Sequence, residues 1–180
     1  WAGCREMERL CDEFGFADLK EDSDEITGRT EAGIRAGLRE LPDGEWREEM
    51  MMDIDGIDEP QPLVVSVKIE GDQIYVDFDG TAPQVRRPVN CPINFSRAYV
   101  AVPVKMICDP SLPNNQGTYR PITLNAPDGS LLNPTYPAPC FWRLSAGMLV
   151  AELMFKIFSR IVPDRVPAES GSLPTWQFYV

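Results

Sequence analysis

The sequence predicts an α+β fold, an antiparallel sheet with packing helices, preceded by a helical lead-in. Three observations predict it. The apolar period changes from helical to alternating at residue 45, two alternating runs flank a Gly71-Asp72 turn, and residues 144–161 carry a wide apolar helical face. The chain therefore divides into a lead-in over 1–44 and a core segment over 45–180. With 180 residues it can bury about 70% of its unfolded surface, so a core can form without disulfide or metal staples.

Met7, Leu10, Cys11 and Phe14 recur at spacings of three and four, predicting a helix over 2–15 that stops at Gly15. Asp22 and Glu25 have capping-box spacing, and Ile26, Thr30, Ile34, Leu38 and Leu41 form one stripe, so a second helix runs to the Pro42-Asp43-Gly44 stop. Arg35 and Arg39 suit the negative pole at its end. From Glu45, the set Trp46, Met50, Met52 and Ile54 alternates with Arg47, Glu49, Met51 and Asp53, which is a strand with one wet face. Leu63, Val65, Val67 and Ile69, then Ile74, Val76 and Phe78, make an antiparallel hairpin around Gly71-Asp72.

Residues 80–94 are rich in Pro, Asn and Arg and should be irregular but pinned, because Pro83, Pro88 and Pro92 each fix φ. Asn94 is the expected N-cap of a helix to Cys108, with Phe95, Tyr99, Val102 and Met106 on one face and Pro103 kinking its interior. A loop over 109–117 leads to a strand over 119–125, the turn Pro127-Asp128-Gly129 and a proline-rich stretch to Pro139. Leu144, Met148, Ala151, Leu153, Met154, Ile157, Phe158 and Ile161 then define a buried helix, and Trp176, Phe178 and Val180 alternate in a last strand.

Charge restricts the partners. The net charge is −11, with 19 acids against 7 bases in residues 1–60 and 9 against 10 in the remainder. Such a balance repels phosphate backbones and anionic lipid, so neither nucleic acid nor membrane is an expected partner. No apolar run approaches the length of a membrane span. The five cysteines lack CxxC spacing and read as reduced thiols of a cytoplasmic protein. The opening Trp1-Ala2-Gly3-Cys4 has neither an initiator Met nor an export signal, and the chain is expected to be an internal slice, truncated at both ends. Asn94-Phe95-Ser96 matches the glycosylation sequon, which has no export context to act in.

The absence of His rules out Ser-His-Asp and Cys-His nucleophile systems and His-ligated zinc within these residues. Asp77 and Asp79 lie two apart on a strand and read as a solvated face rather than a metal or acid/base pair. Cys91 and Cys140 sit in proline-bounded loops and, without a base, read as structural. Arg86 and Arg87 have the chemistry of an anion clamp, although adjacent loop arginines are usually just exposed. Asn90, Asn94, Asn114 and Asn115, with Arg120, recur in two tight loops. Their side chains suit recognition of an amide or imide ring if the loops meet in space, and turn building if they do not.

The run Val76–Arg86 (VDFDGTAPQVR), followed by Pro88-Val89-Asn90-Cys91-Pro92, strongly resembles the hydantoinase B / oxoprolinase family. Further family signatures follow in order: Leu112-Pro113-Asn114-Asn115, Tyr119-Arg120-Pro121, residues 126–134 (APDGSLLNP) and residues 163–168 (PDRVPA). The resemblance implies part of a B-type subunit of an ATP-dependent cyclic-amide hydrolase that opens hydantoin or 5-oxoproline. An A-type, kinase-like partner would use the ATP, and a divalent metal would bind in an amino-terminal region absent from this chain. Asn90, Asn94, Asn114, Asn115 and Arg120 are the expected substrate-side residues, and neither a catalytic residue nor a metal ligand is expected here. Two alternatives remain: a subunit of an ATP-dependent ketone carboxylase of the same family, which residues 137–144 (PAPCFWRL) favour, and a non-catalytic assembly segment. Arg87, Thr118 and Met148 depart from the family pattern, and Met148 points to a more apolar pocket.

Overall fold

The structure, a computed structural model, describes residues 1–16 and 18–168. The strand expected near Trp176 lies outside the described residues. Helix α1 (Ala2–Phe14) ends at Gly15, whose φ of 70° places it in the left-handed region that glycine adopts without a Cβ penalty. None of its residues is buried, so Met7, Leu10 and Phe14 stay exposed.

Helix α2 (Lys20–Arg39) starts two residues before the expected cap. Asp18 Oδ1 accepts from the Lys20 amide at 2.8 Å, so the Asp22–Glu25 capping box does not form. Its buried stripe is Thr27, Thr30, Ile34, Gly37 and Leu38, which leaves Ile26 53% exposed, contrary to the predicted face. The Thr27 and Thr30 hydroxyls donate to the carbonyls of Ser23 and Ile26, and those bonds make burial of two threonines tolerable. Arg35 and Arg39 reach across to Asp72 in the hairpin turn instead of their own helix end.

Strands β1 (Gly44–Met52), β2 (Gln61–Glu70), β3 (Gln73–Asp77) and β4 (Ile122–Asn125) form one sheet in that order. β1, β2 and β3 pair antiparallel, with Trp46 opposite Val67 and Val67 opposite Val76. β4 runs parallel to β3, so the sheet is mixed rather than wholly antiparallel. Between them the chain crosses over through α3 (Ile93–Cys108), as a parallel pair requires. Where β3 ends, the Thr81 hydroxyl takes over its pairing role, accepting from Val64 N at 3.0 Å and donating to Val64 O at 3.2 Å.

The inner sheet face contributes Leu63, Val65, Val67, Ile69, Ile74 and Val76 to the core. Helix α4 (Arg143–Ile161) packs on β1 and β2, α2 packs on β3, and α3 contacts both helices. The expected α4 stripe is buried at Leu153, Met154, Ile157 and Phe158, while Leu144 at its start is 37% exposed. Glu48, which no spaced motif flags, is a carboxylate on the inner face of β1 and is only 6% exposed. It is held by Lys156 Nζ at 2.7 Å and by the Arg160 guanidinium, both from α4.

Helix α3 departs from its predicted form in two ways. Its N-cap is Pro92, so Asn94 sits exposed in the first turn and does not cap. Its buried face is Ser96, Val100, Ala101, Val104 and Ile107, which leaves Val102 and Met106 about half exposed at 50% and 45%. Pro103 is buried, and the helix continues through it.

Candidate functional site

Two loops carry the asparagines, and they dock at opposite ends of α3. The first, residues 80–92, is stapled by Asn90. Asn90 is completely buried, its Oδ1 accepts from Val85 N at 2.9 Å, and its Nδ2 faces the carbonyls of Val85, Arg87 and Pro139 at 2.8, 2.9 and 2.8 Å. These bonds occupy the whole amide and tie the loop to the proline-rich stretch before α4. Ser96 reinforces the junction by donating to Leu132 O at 2.8 Å. Arg87 Nη2 donates to Gly56 O and Arg86 is exposed, so the two guanidiniums form no joint clamp.

The second loop, residues 109–120, lies on α2. Asn115 Oδ1 accepts from Gly117 N and its Nδ2 donates to Thr30 Oγ1, both at 2.8 Å. Gly117 is the residue that permits the approach, since a Cβ there would stand 2.2 Å from Thr27 O. Arg120 pairs with Glu31 at 3.0 Å, and Arg35 pairs with the same carboxylate at 2.9 Å. The Arg120 hydrogen bond, with help from Arg35, holds the Glu31 carboxyl below its ordinary range despite some desolvation.

Between this loop and the exposed side of α3 lies a cavity of about 250 Å³. Ala101, Val102 and Met106 form its apolar wall, and Lys105, Asn114 and Thr118 bring polar groups. Tyr119 also lines it, with the Arg97 guanidinium 5.3 Å from its ring centroid. Asn114 is exposed, and its amide makes no hydrogen bond among the described residues. Thr118 is only 3% exposed, yet its hydroxyl has no partner among the described residues. The cavity thus gathers Asn114 and Asn115 but excludes Asn90, Asn94 and Arg120. Asn94 and Lys105 are separated by about 16 Å along the helix axis, so the two loops do not meet in one pocket.

The remaining candidates make contacts within the fold. Asp79 has left the strand, and Asp77 Oδ1 accepts from Asp79 N at 3.0 Å and from Asn125 Nδ2 at 2.9 Å, closing a turn and tying β3 to β4. Among the described residues no group of three or more His, Cys, Asp or Glu side chains is placed to hold a metal ion. Burial pushes the Cys91 thiol up to about 11 and the Cys108 thiol up to about 12, the opposite of nucleophile activation. Cys140 donates weakly to Ala138 O at 3.4 Å. Lys105 escapes a sequence reading of the site because it belongs to no spaced motif, and Thr118 stands out only as a departure from the family pattern; the fold brings them to one cavity.

A sequence profile described as Hydantoinase B/oxoprolinase matches residues 1–179. The chain is 31% identical to the B-type subunit of a putative D-/L-hydantoinase of Pseudomonas sp. (strain NS671), covering 98% of this chain and 32% of that protein. It is 28% identical to the 5-oxoprolinase PfmaA of Pestalotiopsis fici, covering 91% of this chain and 13% of that one. The crystal structure of ATP-dependent caprolactamase from Pseudomonas jessenii superposes with a TM-score of 0.79 at 25% identity, covering 91% of this chain and 29% of that chain. The chain therefore spans about a third of the length of its hydantoinase relative. No described helix is long and apolar enough to cross a membrane. With the profile running from the first residue to the last but one and the signature runs in unbroken order, the chain belongs to the hydantoinase B/oxoprolinase family.

Proposed function

We propose that this chain forms part of the B-type subunit of a cytoplasmic, ATP-dependent enzyme that opens cyclic amides together with an A-type, kinase-like subunit. The supporting observation is that the named relatives converge on one bond. Hydantoin, 5-oxoproline and caprolactam are all ring amides, and the caprolactamase is ATP-dependent. The chain has no His, its buried thiols are held protonated, and the described residues do not fit a metal. Its contribution is accordingly to frame and position the substrate, while the partner uses ATP and the divalent metal is held by residues outside this chain. Among the five expected substrate-side residues, Asn114 has a free amide at a cavity and takes that role. Asn90 and Asn115 support it by fixing their loops, Arg120 by bracing Glu31, and Asn94 lies on the exposed first turn of α3.

The test is turnover by the assembled two-subunit complex. ATP-dependent release of the open-chain acid from hydantoin, 5-oxoproline or caprolactam is the expected result. Incorporation of labelled bicarbonate into a ketone would assign the complex to carboxylation instead. Ring opening by this chain alone, without partner or ATP, would overturn the division of labour. Unchanged turnover in Asn114→Ala, with normal assembly, would reduce the segment to a scaffold.

A further inference from the structure

We propose that the cavity between α3 and the 109–120 loop is a binding site for a small organic carboxylate. Three independent features of the groove support this. Thr118 is 3% exposed with its hydroxyl unsatisfied, and a buried hydroxyl without a partner is unfavourable until something supplies one. Lys105 is the second. Among the described residues Lys20, Lys68 and Lys156 each pair with a carboxylate, but Lys105 does not, although the chain carries a net charge of −11. Asp109, one turn further on, engages Ser111 through its Oδ1 at 2.9 and 2.6 Å; those bonds first, and the nearby Lys105 charge last, hold its carboxyl below the ordinary range, but the two side chains form no salt bridge. The third is what else lines the cavity: it contains no acidic residue, and the side chains of Asn114, Asn115 and Tyr119 add polar donors, the Asn114 amide being free of other hydrogen bonds among the described residues.

The apolar wall limits the size and shape of the ligand. Val102 and Met106 are the large apolar α3 residues turned away from the core, and with Ala101 they give a compact hydrocarbon body a surface to cover. A carboxylate on that body accepts from the Lys105 ammonium and from the Thr118 hydroxyl, and charge-assisted bonds of this kind are about twice as strong as neutral ones. A simple inorganic anion would leave the wall uncovered, and a neutral lactam would leave Lys105 unpaired.

The inference deepens the ring-opening reading by assigning a charge to the ligand, and it relies on that reading only for the choice of probe. The experiment is an NMR titration of the full chain with 5-oxoproline and, in parallel, with 2-pyrrolidinone, the same lactam ring without the carboxylate. Saturable shifts at Lys105, Asn114 and Thr118 are expected with 5-oxoproline, at a Kd on the order of 1 mM for so small a ligand. They should weaken at least tenfold in Lys105→Gln and severalfold in the near-isosteric Thr118→Val, with dispersed spectra showing that both variants are folded. Equal binding of 2-pyrrolidinone, or no saturable shift with either probe, overturns the proposal. In either of those cases ring opening by the assembled complex still decides the function separately. Binding here without any turnover in the complex would sustain the site and sink the enzymatic reading.

Discussion

Replacing Asn90 separates a loop staple from a ligand contact. In Asn90→Ala, Val85 N–H loses its acceptor, and the carbonyls of Val85, Arg87 and Pro139 lose their shared donor. The amide nitrogen has two hydrogens for those three carbonyls, so the loss amounts to about three net hydrogen bonds at about 1 kcal/mol each. Val85 is only half-buried, and water can reach part of its backbone once the side chain is gone, which keeps the expected destabilisation at about 3 kcal/mol rather than the higher penalties of a sealed site. With a urea m-value of about 2 kcal/mol/M, the unfolding midpoint should fall by about 1.5 M. Asn90→Asp should be at least as damaging, because it retains the acceptor for Val85 N–H but turns a carboxylate toward three carbonyl oxygens. A midpoint within about 0.3 M of wild type for Asn90→Ala, an error no greater than that of extrapolation, would refute the staple.

Other perturbations probe separate contacts. Gly37→Ala should destabilise by about 1–3 kcal/mol, despite the gain in helix propensity, because its Cβ would stand 2.6 Å from Cys108 Cα; a raised melting temperature would contradict that packing. Removing both cations in Lys156→Met/Arg160→Met should cost about 3 kcal/mol by leaving Glu48 buried and unpaired, and adding Glu48→Met should recover most of it in thermal melts. Alkaline pH acts through the buried thiols. Unfolded cysteines lose their protons near 9.0, but Cys91 and Cys108 hold theirs until about 11 and about 12, so the unfolded state binds fewer protons in that window. Their contribution is complete below the unfolded value and is lost as pH rises through this window; a urea midpoint that climbs between about pH 9 and about pH 10.5 would contradict the sign.

The hairpin was legible because strict alternation on both sides of Gly71-Asp72 has one reading, and the structure pairs Ile69 with Ile74 as that turn demands. β4 was legible as a strand but not in its direction, since its partner is chosen by the crossover through α3, which a local pattern does not contain. The faces of α2 and α3 differ from the predicted ones by about one position for a common reason. Thr27, Ala101 and Ser96 count as weak or polar in an apolar tally, yet they are small enough to fit against neighbouring backbone, whereas Ile26, Val102 and Met106 count as core and stay out. At the candidate site, Asn115 and Gly117 show a turn signal in sequence. Asn90 gives no local hint that its third acceptor, Pro139 O, lies 49 residues away.

Among the described residues β1 forms one edge of the sheet, pairing with β2 alone, and its buried acid governs how that edge can be used. Sliding β1 by one residue against β2 would rotate Glu48 outward and bring Arg47 or Glu49, according to the direction of the slip, beneath α4; the slip that brings Arg47 there sets a guanidinium against Lys156 and Arg160. The triad therefore works as an indexing pin against the slip that would bring Arg47 inward. A foreign strand approaching the edge meets the same obstacle, because Glu45, Arg47 and Glu49 line its wet face and an inward charge discourages self-templated growth.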